Sequence, residues 1–233
     1  MRKEEKFVYF TAVDISLDNG AGINEREFVR ELMTHHQDKT ICVLPYPEHP
    51  ENYFHKNIEY VINHKRHHPL YWVAFVIKSY TRIRHLKNKY NLRALIFRLD
   101  IVPLAEILMG SLGVPIILKT LAGGTFRAKS IVGMVKKIGS PFKRFMIKSA
   151  DGADAVGYTS KKWIVETYSI ESNKIKVIPN AANIEAFFPA SVEESRDRIG
   201  FDKGKKYIGY VGALRKISCL DRLIRAFSII KED

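Results

Sequence analysis

The chain has 233 residues, is 46% hydrophobic and 27% charged, and carries a formal net charge of +13. That balance suits a soluble globular protein of one large domain, or of one domain and part of another. Its two cysteines, Cys42 and Cys219, are too few for a disulfide framework, and no C-x-x-C or Cys/His spacing marks a metal site. Cys42 lies in the apolar run Thr40–Leu44 and reads as a small buried thiol. No metal or other cofactor is expected. The first residues lead from a charged start straight into a strand-like run without a secretory hydrophobic region, so a cytoplasmic protein is expected.

The positive charge is localised. Between Glu59 and Asp151 there are seventeen Lys and Arg against two acids, Asp100 and Glu106, an excess of +15 that exceeds the total for the chain. The remainder is slightly acidic. Such confinement points to an anionic partner on one face, a phospholipid surface or a diphosphate-linked lipid, or else to solvated helix faces with no partner. No helix-turn-helix, zinc or RNA-binding signature accompanies the basic region, so nucleic acid is not expected as a partner.

Apolar runs and helical patterns alternate along the chain. Phe7–Val13 reads as a buried strand, Asn19-Gly20-Ala21-Gly22 as a loop, and Ile23–His36 as a helix with Phe28, Val29, Leu32 and Met33 on one face. Thr40–Tyr46 is a second strand, closed by Pro45 and Pro47, and an irregular stretch follows. Pro69–Tyr90 is helical, Arg93–Leu99 a third strand, Pro103–Leu112 a helix ended by Gly113, and Val114–Leu121 a strand before the Gly123-Gly124 turn. A basic, helix-leaning segment spans Phe126–Ser149. Ala153–Thr159 is a strand, Ser160 the expected N-cap of a helix Lys161–Ser169, and Lys174–Ile178 a strand. Beyond an irregular Ala181–Ser191 come a helix, a strand Lys205–Val211 and a helix Leu220–Lys231. Continuous apolar strands alternating with helices predict an α/β fold: a Rossmann-like parallel sheet covered by helices, with an incomplete second Rossmann-like domain. The expected boundary places residues 1–185 in the first domain and 186–233 in a linker and the truncated start of the second.

Three small residues, Gly20, Ala21 and Gly22, open the first helix and would let backbone N–H groups approach a phosphate or a sugar hydroxyl; a tight turn with no ligand is the alternative. A dinucleotide fingerprint would need a third glycine where Glu25 stands. No phosphate-binding P-loop sequence occurs. In Pro69–Tyr90 the apolar run Leu70–Ile77 is far shorter than the roughly 20 residues that span a bilayer. Its aromatic start, with Trp72, and its cations Lys78, Arg82 and Arg84 suit a helix lying on an anionic membrane, to which Lys136, Lys137, Lys143 and Arg144 would add. Equally, Val73, Val76, Ile77, Tyr80 and Ile83 fit a stripe facing the core.

The stretch Ala153–Pro189 resembles the end of the N-terminal domain in glycosyltransferase family 4. The matching features are Tyr158-Thr-Ser160, then Val177-Ile-Pro-Asn-Ala-Ala-Asn183, then Phe187-Phe-Pro189. Ile208-Gly-Tyr-Val-Gly-Ala-Leu214 and Asp221-Arg-Leu-Ile-Arg-Ala-Phe227 resemble the first strand and helix of that family's donor domain, and Gly20-Ala-Gly22 with Phe28-Val-Arg-Glu-Leu32 also fits. The resemblance implies a GT-B fold and transfer of a sugar, with retention, from a nucleotide sugar to a glycan or lipid-linked acceptor held by the first domain. It places Gly20, Ala21, Gly22, Lys119, Thr120 and Asn180 in the donor–acceptor cleft. The family's diphosphate-binding Arg and Lys-Gly positions are Ala213, Ser218 and Cys219 here, so Arg215 and Lys216 are the candidates to replace them. The histidine common after the fourth strand is absent, Leu121 and Ala122 standing there. The acidic pair that holds the donor falls beyond Asp233, so the chain alone is expected to be inactive. A non-catalytic membrane- or glycan-binding module is the alternative.

Overall fold

The computed structural model describes residues 3–48, 55–62, 71–98, 103–119, 144–145, 147–185, 187–212, 214 and 218–230. Two units divide the chain, Met1–Ala181 and Ala182–Asp233. The first is built on seven strands: β1 (Glu5–Phe10), β2 (Thr40–Pro45), β3 (Ile58–Val61), β4 (Asn91–Arg98), β5 (Ile116–Lys119), β6 (Gly152–Ala155) and β7 (Ile175–Val177). They lie in the order β3-β2-β1-β4-β5-β6-β7, and every pairing is parallel. Between them run α1 (Gly20–His35), α2 (Tyr71–Lys89), α3 (Pro103–Gly110) and α4 (Tyr158–Tyr168). Residues 144–145 and 147–149 are helical as well. This is the Rossmann-like α/β arrangement expected from the sequence.

Alternation along each strand divides the interior into two cores. Val8, Phe10, Val43, Leu95, Phe97 and Leu118 point to one face and pack on Phe75, Val76 and Ile83 of α2, Ala105 and Met109 of α3, and Ile164 of α4. Phe10 stacks between Phe75 and Phe97 at 5.8 and 5.4 Å. Tyr9, Cys42 and Leu44 point to the other face and meet Val29 and Met33 of α1. The unequal split follows from handedness: right-handed crossovers outward from β1 put α1 on one face, and those from β3 back across to β7 put α2, α3 and α4 on the other.

Several expectations are corrected. Helix α1 begins at Gly20, not Ile23, because Asn19 caps it and draws the three small residues into its first turn. The stretch read as irregular contains β3, a short, half-exposed edge strand identified only by its pairing of Cys42 with Ile58 and of Pro45 with Val61. Helix α4 starts at Tyr158 after Gly157, which makes no side-chain cap bond, so Ser160 lies inside its first turn instead of capping it. Strand β6 ends at Ala155, not Thr159.

On α2 the buried residues are Tyr71, Phe75, Val76, Ser79, Ile83 and Leu86, while Val73 and Ile77 are exposed. The core stripe is thus rotated from the one read off the sequence. The segment Phe126–Ser149 is described only at its end.

The second unit holds α5 (Val192–Ile199) and α6 (Leu220–Ile230). Ser191 Oγ caps α5 by accepting from the Glu194 N–H at 3.1 Å, and Gly200 closes it in the left-handed region at φ 70°. Residues 205–211, expected to be a strand, form none. A strand is defined by the ladder it shares, and this segment has no partner strand among the described residues. Ile208 and Val211 are exposed.

Candidate functional site

In open parallel sheets, ligands bind outside the carboxyl ends of the strands. At that end β1 gives way to a loop that leads into α1. Asp14, buried there, accepts from both the N–H and the hydroxyl of Ser16 at 2.9 and 2.8 Å, which fixes the loop's first turn. Asn19 Oδ1 accepts from the N–H groups of Ala21 at 3.1 Å and Gly22 at 2.9 Å. Two of the amides expected to face a phosphate are therefore already satisfied, and an anion at this helix start must displace the Asn19 side chain.

The two glycines differ in what they do. A Cβ on Gly22 would sit 2.2 Å from the Leu17 carbonyl oxygen and 3.1 Å from that of Asp14, whereas one on Gly20 would meet nothing within 4 Å. Gly22 is required by close packing of α1 on its own loop, and Gly20 leaves open space. Gly22→Ala is expected to lower stability by about 1–3 kcal/mol through backbone displacement. Gly20→Ala should be neutral or stabilising by up to about 1 kcal/mol. Thermal melts of both variants check the pair, and equal shifts would remove the packing role of Gly22.

One turn into α1, Glu25 is fully buried, in the place where a dinucleotide fingerprint would put glycine. Its carboxylate accepts from the Tyr9 hydroxyl, from Arg98 Nη1 at 2.5 Å and from Lys119 Nζ at 2.8 Å. Three strands thus supply its partners: Tyr9 from β1, Arg98 from the end of β4 and Lys119 from the end of β5. The Lys119 ammonium also lies 3.9 Å from the centre of the Phe28 ring, a cation–π contact. Burial holds the Lys119 pKa below its ordinary value, against the pull of Glu25. Burial, reinforced by Glu25, raises the Tyr9 hydroxyl well above its own and raises the Cys42 thiol to about 12. With every Glu25 donor in place, the cluster is a brace that locks α1 to the strand ends.

Beside this brace a groove of about 760 Å³ runs over β4, β5 and β6 on the α1 side, lined among others by Phe28, Ile96, Ile117, Ile178, Lys119, Lys176 and Asn180. At one end the Asn24 side-chain amide donates to Asn180 Oδ1 at 3.4 Å, joining α1 to the segment after β7. Of the predicted cleft residues, the structure brings Gly22, Lys119 and Asn180 to this end of the sheet, with Gly20 and Ala21 at the helix start. Lys119 is turned inward onto Glu25. Thr120, Arg215, Lys216, Lys136, Lys137, Lys143 and the side chain of Trp72 lie outside the described residues. Of the predicted membrane-facing cations, Lys78, Arg82, Arg84 and Arg144 are exposed, and Arg82 forms a two-pronged pair with Glu59.

Sequence reading missed Glu25, Arg98 and Asn24 as parts of this region. The one available signal was the carboxylate standing at the third-glycine position of a strand–turn–helix. Among the described residues no group of three or more His, Cys, Asp or Glu side chains could hold a metal ion, and no helix is long and apolar enough to cross a membrane.

No family model matches the chain. An 87-residue stretch is 29% identical to the D-inositol 3-phosphate glycosyltransferase of Nocardiopsis dassonvillei, covering 37% of this chain and 20% of that protein. Sucrose-phosphate synthase from Thermosynechococcus elongatus superposes with a TM-score of 0.61 at 13% identity, over 85% of this chain and 53% of its own. HepE from Anabaena, solved in complex with UDP-glucose, gives 0.52 at 11% identity, over 84% and 50%. A UDP-N-acetylglucosamine 2-epimerase from Rickettsia bellii gives 0.52 at 11%, over 84% and 48%. The chain spans about half the length of these solved structures and a fifth of the curated relative. In fold and in these similarities it resembles the GT-B glycosyltransferases.

Proposed function

We propose that the chain forms the acceptor side of a retaining, family 4-like glycosyltransferase that moves a sugar from a nucleotide sugar to a glycan or lipid-linked acceptor at the cytoplasmic face of a membrane. The observation that carries this reading is the seven-stranded β3-β2-β1-β4-β5-β6-β7 sheet followed at Ala182 by a second unit. That combination matches half of a structure solved with UDP-glucose. In such a reaction the leaving group is a nucleoside diphosphate, and the charge that grows on it must be met by cations and oriented donors. Arg215 and Lys216 are proposed for that task. The first unit would hold the acceptor at the strand ends, near Gly20, Lys119 and Asn180, with Thr120 proposed to join them, and the Glu25 brace would keep α1 in place there. No metal is assigned a role. On this reading the 233 residues bind acceptor and do not turn over donor by themselves.

The test is a transfer assay on the protein isolated from its source, with labelled UDP- and GDP-sugars against lipid-linked and free glycans. Donor-dependent product that keeps the donor's anomeric configuration is the expected result. Acceptor binding without transfer from any donor would leave a non-catalytic binding module. Conversion of a UDP-sugar with no acceptor present would replace transfer by epimerisation, which the same fold also hosts.

A further inference from the structure

Strand β3 is the last of the sheet, with β2 on one side and no further strand among the described residues on the other. Its side chains alternate. Val61 joins the core under α2 and Glu59 points the same way, while Ile58 and Tyr60 pack toward α1. Over Glu59 and Val61, helix α2 presents Lys78, Thr81, Arg82 and His85. Spacings of three and four residues set these side chains in one row on the helix. All four are exposed. With Glu59 and Ile62 of the edge they line a channel of about 600 Å³.

The two walls of this channel match in length. Because β3 and β4 lie parallel in one sheet, α2 between them runs back antiparallel to β3. From Lys78 to His85 the helix rises ~10 Å at ~1.5 Å per residue. From Glu59 to Ile62 the strand extends ~10 Å at ~3.3 Å per residue. The volume divided by that length leaves a cross-section of ~60 Å². One extended chain fills ~50 Å², from a strand spacing of ~4.8 Å and a sheet spacing of ~10 Å.

Charge selects what such a chain must carry. Among the described residues the one carboxylate of the lining is Glu59, and it is taken: it accepts from Arg82 Nε and, at 2.7 Å, from Arg82 Nη2. Lys78 and His85 flank that pair along the row and add N–H donors. We infer that the channel binds an extended acidic segment of a partner protein, with carboxylates at alternate positions facing α2. Such carboxylates stand ~7 Å apart, close to the ~6 Å rise from Lys78 to Arg82. A second copy of this chain would bring two like-charged rows together, which is repulsive. A duplex or a flat bilayer is too broad to enter the channel. The site is at the opposite edge of the sheet from β7, so the partner leaves the segment around Asn180 open. The inference goes beyond the transferase reading and does not rest on it.

The 233-residue chain is titrated into a fluorescein-labelled peptide of about nine residues, with glutamate at every second position and threonine between. A second peptide carries glutamine in place of glutamate, and fluorescence anisotropy reads both. The glutamate peptide is expected to bind at least about tenfold tighter. Lys78→Glu should weaken it about tenfold and Lys78→Gln about threefold. Arg84→Glu makes the same change in net charge on the neighbouring side of α2. It should alter affinity less than about twofold at about 0.15 M salt, where charges are screened beyond about 8 Å. Lys78 and Arg84 are exposed, so melting temperatures should stay at the wild-type value, and Lys78→Gln carries the test if the reversal unfolds. Equal weakening by Lys78→Glu and Arg84→Glu would mean attraction to overall charge alone and overturn the inference. Equal affinity for the two peptides would do the same, as would tighter, Lys78-dependent binding of a single-stranded oligonucleotide.

Discussion

Replacing Glu25 with alanine is expected to destabilise the first unit by about 3–5 kcal/mol, the range for removing one partner of a buried ion pair. The carboxylate is 0% exposed, and Lys119 and Arg98 beside it have side chains only 8% and 13% exposed. Without it, two cations face each other in a region closed to water, and the Tyr9 hydroxyl loses its acceptor. Domains of this size are stable by about 5–15 kcal/mol, so one change removes a large part of the total. Urea unfolding followed through Trp163 fluorescence measures the loss. Lys119→Met should cost less, because Arg98 and Tyr9 still satisfy Glu25. Combining Glu25→Leu with Lys119→Met should cost less than the sum of the two. A Glu25→Ala protein within about 1 kcal/mol of wild type would show that the cluster is not a brace.

The second large effect is alkaline. The Cys42 thiol is raised from 9.0 to about 12 by burial and by Glu25, so the folded state holds a proton that the unfolded chain releases. Its stabilisation is complete below pH 9 and is lost as the pH rises from 9 to about 12, at about 1.4 kcal/mol per pH unit. Tyr9, raised well above 10.0, adds a loss of the same sign above pH 10. Lys119 works the other way. Its pKa is lowered from 10.5, so the unfolded chain binds the extra proton and stability rises with pH until 10.5 is passed. The Lys119 trend opposes the thiol's only below pH 10.5, and above it, with Tyr9 adding to Cys42, a steeper fall is expected. Urea midpoints of wild type and Cys42→Ala from pH 8 to 11 isolate the thiol. Their difference should shrink by about 1.4 kcal/mol per unit above pH 9. A constant difference would mean that Cys42 ionises alike in both states.

Much of the architecture was legible because strands buried on both faces must be continuously apolar. Thr40–Leu44 and the run through Leu95 and Phe97 have the short, apolar pattern of buried strands, and their alternation with helices called for a parallel sheet. β3 was not legible, since Ile58-Glu59-Tyr60-Val61 is short and not continuously apolar. What makes it a strand is the open edge of β2. Residues 205–211 show the converse: a strand-like sequence without a partner forms no ladder.

The site divides the same way. Gly20, Gly22 and Asn180 were visible as a strand-to-helix turn and a strand exit. Lys119 was visible as a cation at a strand end, but not as a residue turned inward onto an acid of α1, which is 94 positions away.

By itself the sequence determined the alternation of strands and helices, the fold class and the confinement of positive charge, since each follows from local composition and periodicity. Tertiary structure alone decided that Glu25 is buried, that Arg82 is taken by Glu59, and that Val73 and Ile77 face outward while Phe75 and Val76 face in. Those outcomes depend on which distant side chain or sheet face stands opposite. A helix with apolar residues on more than one side does not state which side the sheet will cover.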